Sequence, residues 1–183
     1  MPLTPLQNAF SYARLGRYLD WANGNPAAAF KLYTLNSQLS EALYIPLQAL
    51  ELALRNRIHE AMSLQFGEDW LLAPGRCLHE RQMQKVRRAL EELTVNRKAH
   101  TPEQVLATLS FGFWTALLGK DYEDIWRAAL YRIARKPDGR RVSRKSLSAP
   151  LATIRKLRNR IAHHEPILHY NLPRHHADTR QLI

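Results

Sequence analysis

Hydrophobic positions recur at helical spacing along most of the chain. The clearest stripe begins at Leu39 and continues through several leucines to Ile58 and Met62 at intervals of three and four residues. This is the period of one face of an α-helix. The sequence shows no sustained alternation of Val, Ile and Thr, which would indicate strands. The pattern therefore predicts an all-α protein, a helical bundle of about six or seven helices.

Turn-forming residues divide the N-terminal part of this pattern. Thr4-Pro5 is typical of a helix start and Asn23-Gly24-Asn25 of a helix end. A second helix is predicted from Pro26, and the strong stripe is predicted to begin after Ser37. Pro46 is expected to start or kink the helix that carries this stripe, because proline lacks a backbone donor.

Capping signals also mark the later helices. Thr101-Pro102 with Gln104 predicts a capping box, and the helix that it opens is interrupted by Gly112. The last clear helix should end at Glu165-Pro166, since the residue before a proline avoids the α conformation. This last helix is predicted over about 148–163, and the other predicted helices cover about 79–98 and 121–134.

The composition is that of a folded domain. Hydrophobic residues make up 45% of 183 positions, close to the globular average. No run approaches the length of a membrane span, and the first residues lack the pattern of a secretory signal, so we expect a cytoplasmic protein without a membrane partner. The single Cys77 forms no internal disulfide and no cysteine-based metal site. We expect one domain over 1–183, with an N-terminal helix in 1–25 and a mobile tail in 167–183.

Positive charge is concentrated in the C-terminal part of the chain. The sequence has 27 Lys and Arg and 16 Asp and Glu, a net charge of +11. Residues 1–70 hold five of these basic and six of these acidic residues, so 71–183, with 22 and 10, carry the entire excess. Between Arg127 and Arg160, twelve basic residues accompany a single acid, Asp138. Clustered cations favour a polyanionic partner, nucleic acid first and an anionic membrane surface second, because phosphate neutralisation releases counterions.

The predicted helix at 148–163 carries three side chains suited to phosphodiester chemistry. Asn159 and His163 are four positions apart and share its polar face, whereas His164 lies beside the apolar stripe as a packed or capping histidine. Arg158 lies about 140° from His163 on an ideal helix. The two side chains would converge within one chain only if Arg158 reached across or the helix loosened before Pro166.

These residue types match the needs of RNA cleavage. A histidine titrates near neutral pH and can act as general base or acid. An arginine can neutralise the charge that develops on the phosphate, and an asparagine amide can orient it. RNA supplies its own nucleophile, the ribose 2′-OH, so no metal is required. From the residues alone, an equally good interpretation is a helix end whose His and Arg bond to the terminal carbonyls.

Three segments together resemble one known family. LRNRIAHHEPI at 157–167 resembles the RNxxAHH signature of the Abi-like proteins (abortive infection, AbiD/AbiF type) of the HEPN superfamily, whose motif is Arg, four to six residues, then His. Arg158 and His163 have the four-residue spacing. LALRNRI at 52–58, preceded by Glu51, looks like the family's first helix, and LSFGFWTALL at 109–118 is similar to its central SFGxW stretch.

The resemblance implies a HEPN-like helical bundle, usually a homodimer, in which the Arg-His motifs of two protomers form a metal-independent endoribonuclease site without a cofactor. It makes His163 the general acid/base, Arg158 the phosphate-stabilising cation and Asn159 the positioning amide. Members are growth-arresting toxins of phage defence, so an antitoxin or non-coding RNA partner is expected. The residues implied to support the site or contact RNA are Glu51, Arg55, Asn56 and His164.

The sequence thus predicts an endoribonuclease that leaves a 2′,3′-cyclic phosphate and a 5′-hydroxyl. The alternative is a non-catalytic HEPN module that binds RNA or a nucleotide through the same basic surface. The four tryptophans, Trp21, Trp70, Trp114 and Trp126, are expected in the core or a dimer interface rather than stacked on bases. The residues predicted to bind RNA are Arg140, Arg141, Arg144, Lys145 and Arg155.

Overall fold

The computed structural model describes residues 12–136 and 138–183. In these ranges the protein contains eight α-helices and three short 3₁₀ turns, and no strand. The all-α fold class is therefore confirmed, and the predicted start at Thr4-Pro5 lies outside the described residues. The helices are α1 (Tyr12–Trp21), α2 (Pro26–Phe66), α3 (Glu80–Val95), α4 (Pro102–Thr108), α5 (Phe111–Ala116), α6 (Glu123–Ala128), α7 (Arg144–Ala162) and α8 (Leu172–Leu182).

Helix α2 is a single helix of 41 residues, where the sequence predicted two. It continues through Ser37, whose hydroxyl donates to the carbonyl of Tyr33 at 3.1 Å, so this polar side chain is satisfied within the helix. It also continues through Pro46, which lies between the buried Leu43 and Leu47. Burying each leucine contributes about 1.5–3 kcal/mol, which offsets the roughly 3 kcal/mol that a proline costs inside a helix.

Thr101 caps the start of α4 as predicted, but the predicted interruption at Gly112 is wrong. The Thr101 hydroxyl accepts a hydrogen bond from the backbone of Gln104 at 3.3 Å. The helix ends earlier, at Thr108, and the residue that follows, Leu109, has an extended backbone. The buried Trp114 indole donates to the Leu109 carbonyl at 3.3 Å. This hydrogen bond satisfies the Leu109 carbonyl where the helix stops, and Gly112 lies inside α5.

The helix predicted over 121–134 is shorter than expected. The segment consists of α6 between the 3₁₀ turns Lys120–Tyr122 and Leu130–Arg132. The Tyr122 hydroxyl accepts from the backbone N–H of His79 and donates to Gln82, both at 3.0 Å. Gln82 is itself buried. These two bonds, made where the turn meets α6, connect the segment to the start of α3.

The chain forms two compact units, Met1–Gln48 with Lys156–Leu182, and Ala49–Arg155 with Ile183. In the described part of the first unit, Tyr18, Leu157 and Ile167 are buried. In the second unit the rings of Trp70 and Trp114 meet edge to face with centroids 6.4 Å apart. None of the helices described above is both long and apolar enough to cross a membrane.

The C-terminal segment, where the sequence predicted no clear helix, is partly helical. It contains helix α8, whose first turn is capped by the Asn171 side chain, which accepts from the backbone of Arg174 at 3.2 Å. His175 and Thr179 are buried, and the Thr179 hydroxyl donates to the His175 carbonyl at 2.7 Å. Asn171 followed by a proline at the second helical position was the available signal for this helix.

Candidate functional site at the end of helix α7

Helix α7 keeps regular geometry through the motif that carries the candidate catalytic residues. The backbone N–H of His163 donates to the carbonyl of Asn159 at 2.9 Å, which is the bond of an intact α-helical turn. His164 then adopts a left-handed conformation with φ of 57°. The N–H of Glu165 returns to the Arg160 carbonyl at 2.8 Å and closes the helix in the manner of a Schellman motif.

This geometry excludes one of the two ways in which Arg158 and His163 could meet within one chain, a loosening of the helix. The helix does not loosen before Pro166, so Arg158 stays about 140° around the axis from His163. Asn159 and His163 are both exposed and, four residues apart, share a face, whereas Arg158 is half-buried. Within one chain the two groups could therefore meet only if the Arg158 side chain reached across the helix.

Arg14, which lies on helix α1, bonds to the backbone at the end of α7. Its guanidinium donates to the carbonyl of His163 at 2.7 Å and to that of His164 at 3.2 Å. A cation at this position also complements the negative end of the helix dipole. The two carbonyls that directly follow the helix, those of His163 and His164, are thus bonded by Arg14. Sequence reasoning missed this residue because nothing near it in the chain points to position 163.

A buried asparagine fixes the segment that follows the motif. Asn36, on α2, is 4% exposed, and its side-chain oxygen accepts the backbone N–H of Ile167 at 2.7 Å. Ile167 is itself fully buried. The chain leaving the left-handed turn at His164 is therefore held to α2 within three residues.

Replacing Asn36 with Ala should lower the free energy of unfolding by about 1–3 kcal/mol, because it leaves the buried N–H of Ile167 without an acceptor. Urea denaturation of the wild type and the variant measures the difference. Gln38→Ala, an exposed change two residues away on the same helix, is the control and should change the value by less than about 0.5 kcal/mol. Equal losses in the two variants would show that the bond to Ile167 contributes nothing specific.

The supporting residues that the resemblance implied on the first motif helix lie on α2. Glu51 and Arg55 are half-buried and one helical turn apart, and Asn56 is exposed. The Arg55 guanidinium donates to the Asn56 side-chain oxygen at 3.3 Å. These three residues belong to the second compact unit, whereas His163 belongs to the first.

Two of the five residues predicted to bind RNA are bonded within the fold. Arg144 is 19% exposed, donates to Glu123 at 2.6 Å and to the Leu118 carbonyl at 2.9 Å, and holds the pKa of Glu123 below its usual value. Arg155 is half-buried and donates to the Thr115 hydroxyl at 3.4 Å. Both side chains have structural partners that compete with any contact to RNA.

The other three residues predicted to bind RNA, Arg140, Arg141 and Lys145, are exposed. The first two belong to a tight turn that is closed by a bridge between Arg135 and Arg141, with Gly139 at a φ of 78°. The Arg141 guanidinium lies 4.5 Å from the centroid of the Tyr131 ring. Arg140 is paired with Asp138 at 2.6 Å, a surface pair that contributes little energy and can exchange for phosphate.

The chain also holds one cysteine and four tryptophans, residue types that can act as nucleophiles or stack on bases. Cys77 is buried, and burial raises the pKa of its thiol to about 11, so it is a poor nucleophile. Within 12–136 and 138–183, no three His, Cys, Asp or Glu side chains are grouped as a metal site would require. Three of the four tryptophans are buried as predicted, whereas Trp21 is half-buried.

Comparison with known proteins gives one result that covers most of the chain. A family model described as Abi-like protein matches residues 6–169. This range includes the whole of α7, the left-handed turn and the segment held by Asn36. No curated protein and no solved structure matches the chain.

Proposed function

Since the chain belongs to the Abi-like protein family, we propose that it is a metal-independent endoribonuclease of the abortive-infection type. We place it, within the same proposal, in the AbiD/AbiF group of the HEPN superfamily. The observation that carries the proposal is the exposed pair of Asn159 and His163 at the end of α7. The capping of the terminal carbonyls by Arg14 supports it, because the imidazole of His163 is then not needed to complete the helix.

The reaction is an attack of the ribose 2′-oxygen on the adjacent phosphorus. His163 takes the proton of the 2′-OH as the O2′–P bond forms, and the P–O5′ bond breaks to give a 2′,3′-cyclic phosphate and a 5′-hydroxyl. The leaving 5′-oxygen takes its proton from a water molecule, and the protonated His163 then returns its proton to solvent. Arg158 neutralises the charge on the phosphate oxygens in the transition state, and the Asn159 amide orients the phosphate.

A homodimer is part of this proposal. On the regular helix that ends at His163, Arg158 and His163 of one chain lie on different faces, about 140° apart. A two-fold pair of chains would place the Arg158 of one copy opposite the His163 of the other, and the symmetry would repeat the arrangement. Arg140, Arg141 and Lys145, which are exposed, would attract the RNA to this dimer.

Cleavage of single-stranded RNA in the presence of EDTA tests the proposal. The purified protein should cut the RNA, and the fragments should end in a 2′,3′-cyclic phosphate. An otherwise identical RNA with a single 2′-deoxyribose at the mapped cleavage position should resist cutting there, because the nucleophile is missing.

Two results would count against the proposed reaction. If the 2′-deoxy substrate is cut as fast as the RNA, attack by the 2′-OH is wrong. If the protein binds RNA but cuts none, including RNA from the host cell, the non-catalytic binding module is the better description.

A further inference from the structure

A patch of cationic and aromatic side chains lies on the first compact unit next to the end of α7. We call it the Trp21 surface, and its members are Arg17, Trp21, Arg160, His169 and Tyr170. The Arg17 guanidinium carbon is 5.4 Å from the centroid of the Trp21 ring, which is 6.0 Å from that of His169. The His169 and Tyr170 centroids are 4.6 Å apart, and the Arg160 guanidinium lies 5.6 Å from the Tyr170 centroid. Three rings thus form a continuous row with a guanidinium at each end.

The Trp21 surface is accessible to solvent. Arg17 and His169 are exposed, and Trp21, Tyr170 and Arg160 are half-buried. Core packing therefore does not account for the position of Trp21 as it does for the three buried tryptophans. Partial burial of the ring, then the charges of Arg160 and Arg17, lowers the pKa of His169, which favours the neutral form of the ring.

The Trp21 surface is connected to the candidate catalytic residues on two sides. Arg14, Arg17 and Trp21 are spaced by three and four residues, so they lie along one face of α1. Arg14 holds the carbonyl of His163, and Trp21 lies about 10 Å further along the helix. On the other side, Arg160 follows Asn159 directly and also pairs with Glu165 at 3.2 Å.

Building on the proposed ribonuclease function, we propose that the Trp21 surface binds one unpaired nucleotide of the RNA next to the cleaved phosphate. The base stacks on Trp21 and His169, and the guanidiniums at the two ends of the row, those of Arg17 and Arg160, each contact a phosphate of the strand. Single-stranded RNA is recognised in this way, by aromatic faces for its splayed bases and arginines for its phosphates. Arg160 exchanges part of its surface ion pair with Glu165 for its phosphate, an exchange that costs little because both side chains are partly exposed.

The test measures the affinity for a fluorescein-labelled single-stranded oligonucleotide with 2′-O-methyl groups throughout, which cannot be cut by 2′-OH attack. Trp21→Leu keeps an apolar contact for Tyr18, whose ring lies 5.7 Å from that of Trp21, and removes the indole face. Binding should weaken roughly 5- to 150-fold, the range for the loss of one stacked base. Tyr44→Leu, which removes a 58% exposed aromatic ring from α2, is the matched control and should bind as the wild type does.

A second variant tests the phosphate contact independently of the packing around Trp21. Arg17→Gln changes an exposed side chain, and the slope of log affinity against log salt should fall by about 0.7, the value for one phosphate on a single strand. An oligonucleotide with one abasic position is then scanned along its length. At the position whose base stacks on Trp21, the missing base should weaken the affinity of the wild type. The affinity of Trp21→Leu should not fall any further at that position.

The outcomes separate this inference from the proposed function. Equal affinities of the wild type, Trp21→Leu and Arg17→Gln overturn the inference even if the protein cuts RNA, and so does a wild type that binds no oligonucleotide. Binding that depends on Trp21 in a protein that never cuts RNA upholds the inference and contradicts the ribonuclease proposal. A loss of equal size in Tyr44→Leu also overturns it, because the effect would then not be specific to the Trp21 surface.

Discussion

Replacing His163 with Ala should reduce RNA cleavage by about 10²–10⁴-fold, the usual contribution of a general acid or base. The residue is exposed and lies between the last residue of α7 and the left-handed turn at His164. Its backbone N–H and carbonyl make the local hydrogen bonds, to Asn159 and Arg14, and an alanine keeps both. The fold and the affinity for RNA should therefore remain, and the change should appear in the rate constant measured at saturating RNA.

A histidine elsewhere provides the control for this experiment. His176 is exposed on α8, and His176→Ala should cut RNA at the wild-type rate. Cleavage by His163→Ala at a rate within a few-fold of the wild type, with an unchanged melting temperature, would remove His163 from the proposed reaction.

Two inactive variants should restore activity when they are combined in one dimer. The Arg158→Ala and His163→Ala variants are expressed together, each with a different affinity tag. Purification through both tags gives a dimer in which one copy carries Arg158→Ala and the other carries His163→Ala. If the Arg158 of one copy acts with the His163 of the other, one of the two symmetric combinations is intact, so activity should return to about half that of the wild type. Each variant alone should show a loss of about 10²-fold or more.

The same experiment distinguishes a site within one chain from a shared site. If Arg158 and His163 of the same chain act together, every chain in the mixed dimer lacks one of them, and the mixture stays inactive. The control is a mixed dimer of wild type and His163→Ala prepared with the same tags, which must be active. If the protein has the solution mass of a monomer both with and without RNA, the shared site is excluded.

Local chemistry along the chain was enough to predict several of the helices. Thr101 with Gln104 marks the start of α4, and the stripe that includes Leu157 marks α7, whose last residues carry the motif. Contacts between distant residues were not predictable in this way. The bond from Arg14 to His163 joins residues 149 positions apart, and neither residue type nor spacing identifies such a pair.

The errors in the predicted elements have a similar origin. Pro46 stays inside α2 because the burial of its neighbours outweighs the local cost, and burial cannot be read from the residue itself. Arg144 contributes to the basic stretch in the sequence, yet Glu123, 21 positions earlier, pairs with it in the fold. Charge density along a chain therefore overstates the charge that is available to RNA.

The bond between Asn36 and Ile167 has a consequence for the order in which the protein folds. It closes a loop of 131 residues, and closing a loop of this length costs about 4 kcal/mol in chain entropy, plus a constant. The second compact unit is almost continuous in sequence, whereas the first combines two segments that are far apart in the chain. During synthesis the second unit can form while the first waits for residues beyond 156. The turn at His164 is therefore not held against α2, and the proposed nuclease site is not assembled, until the chain has been synthesised past Ile167.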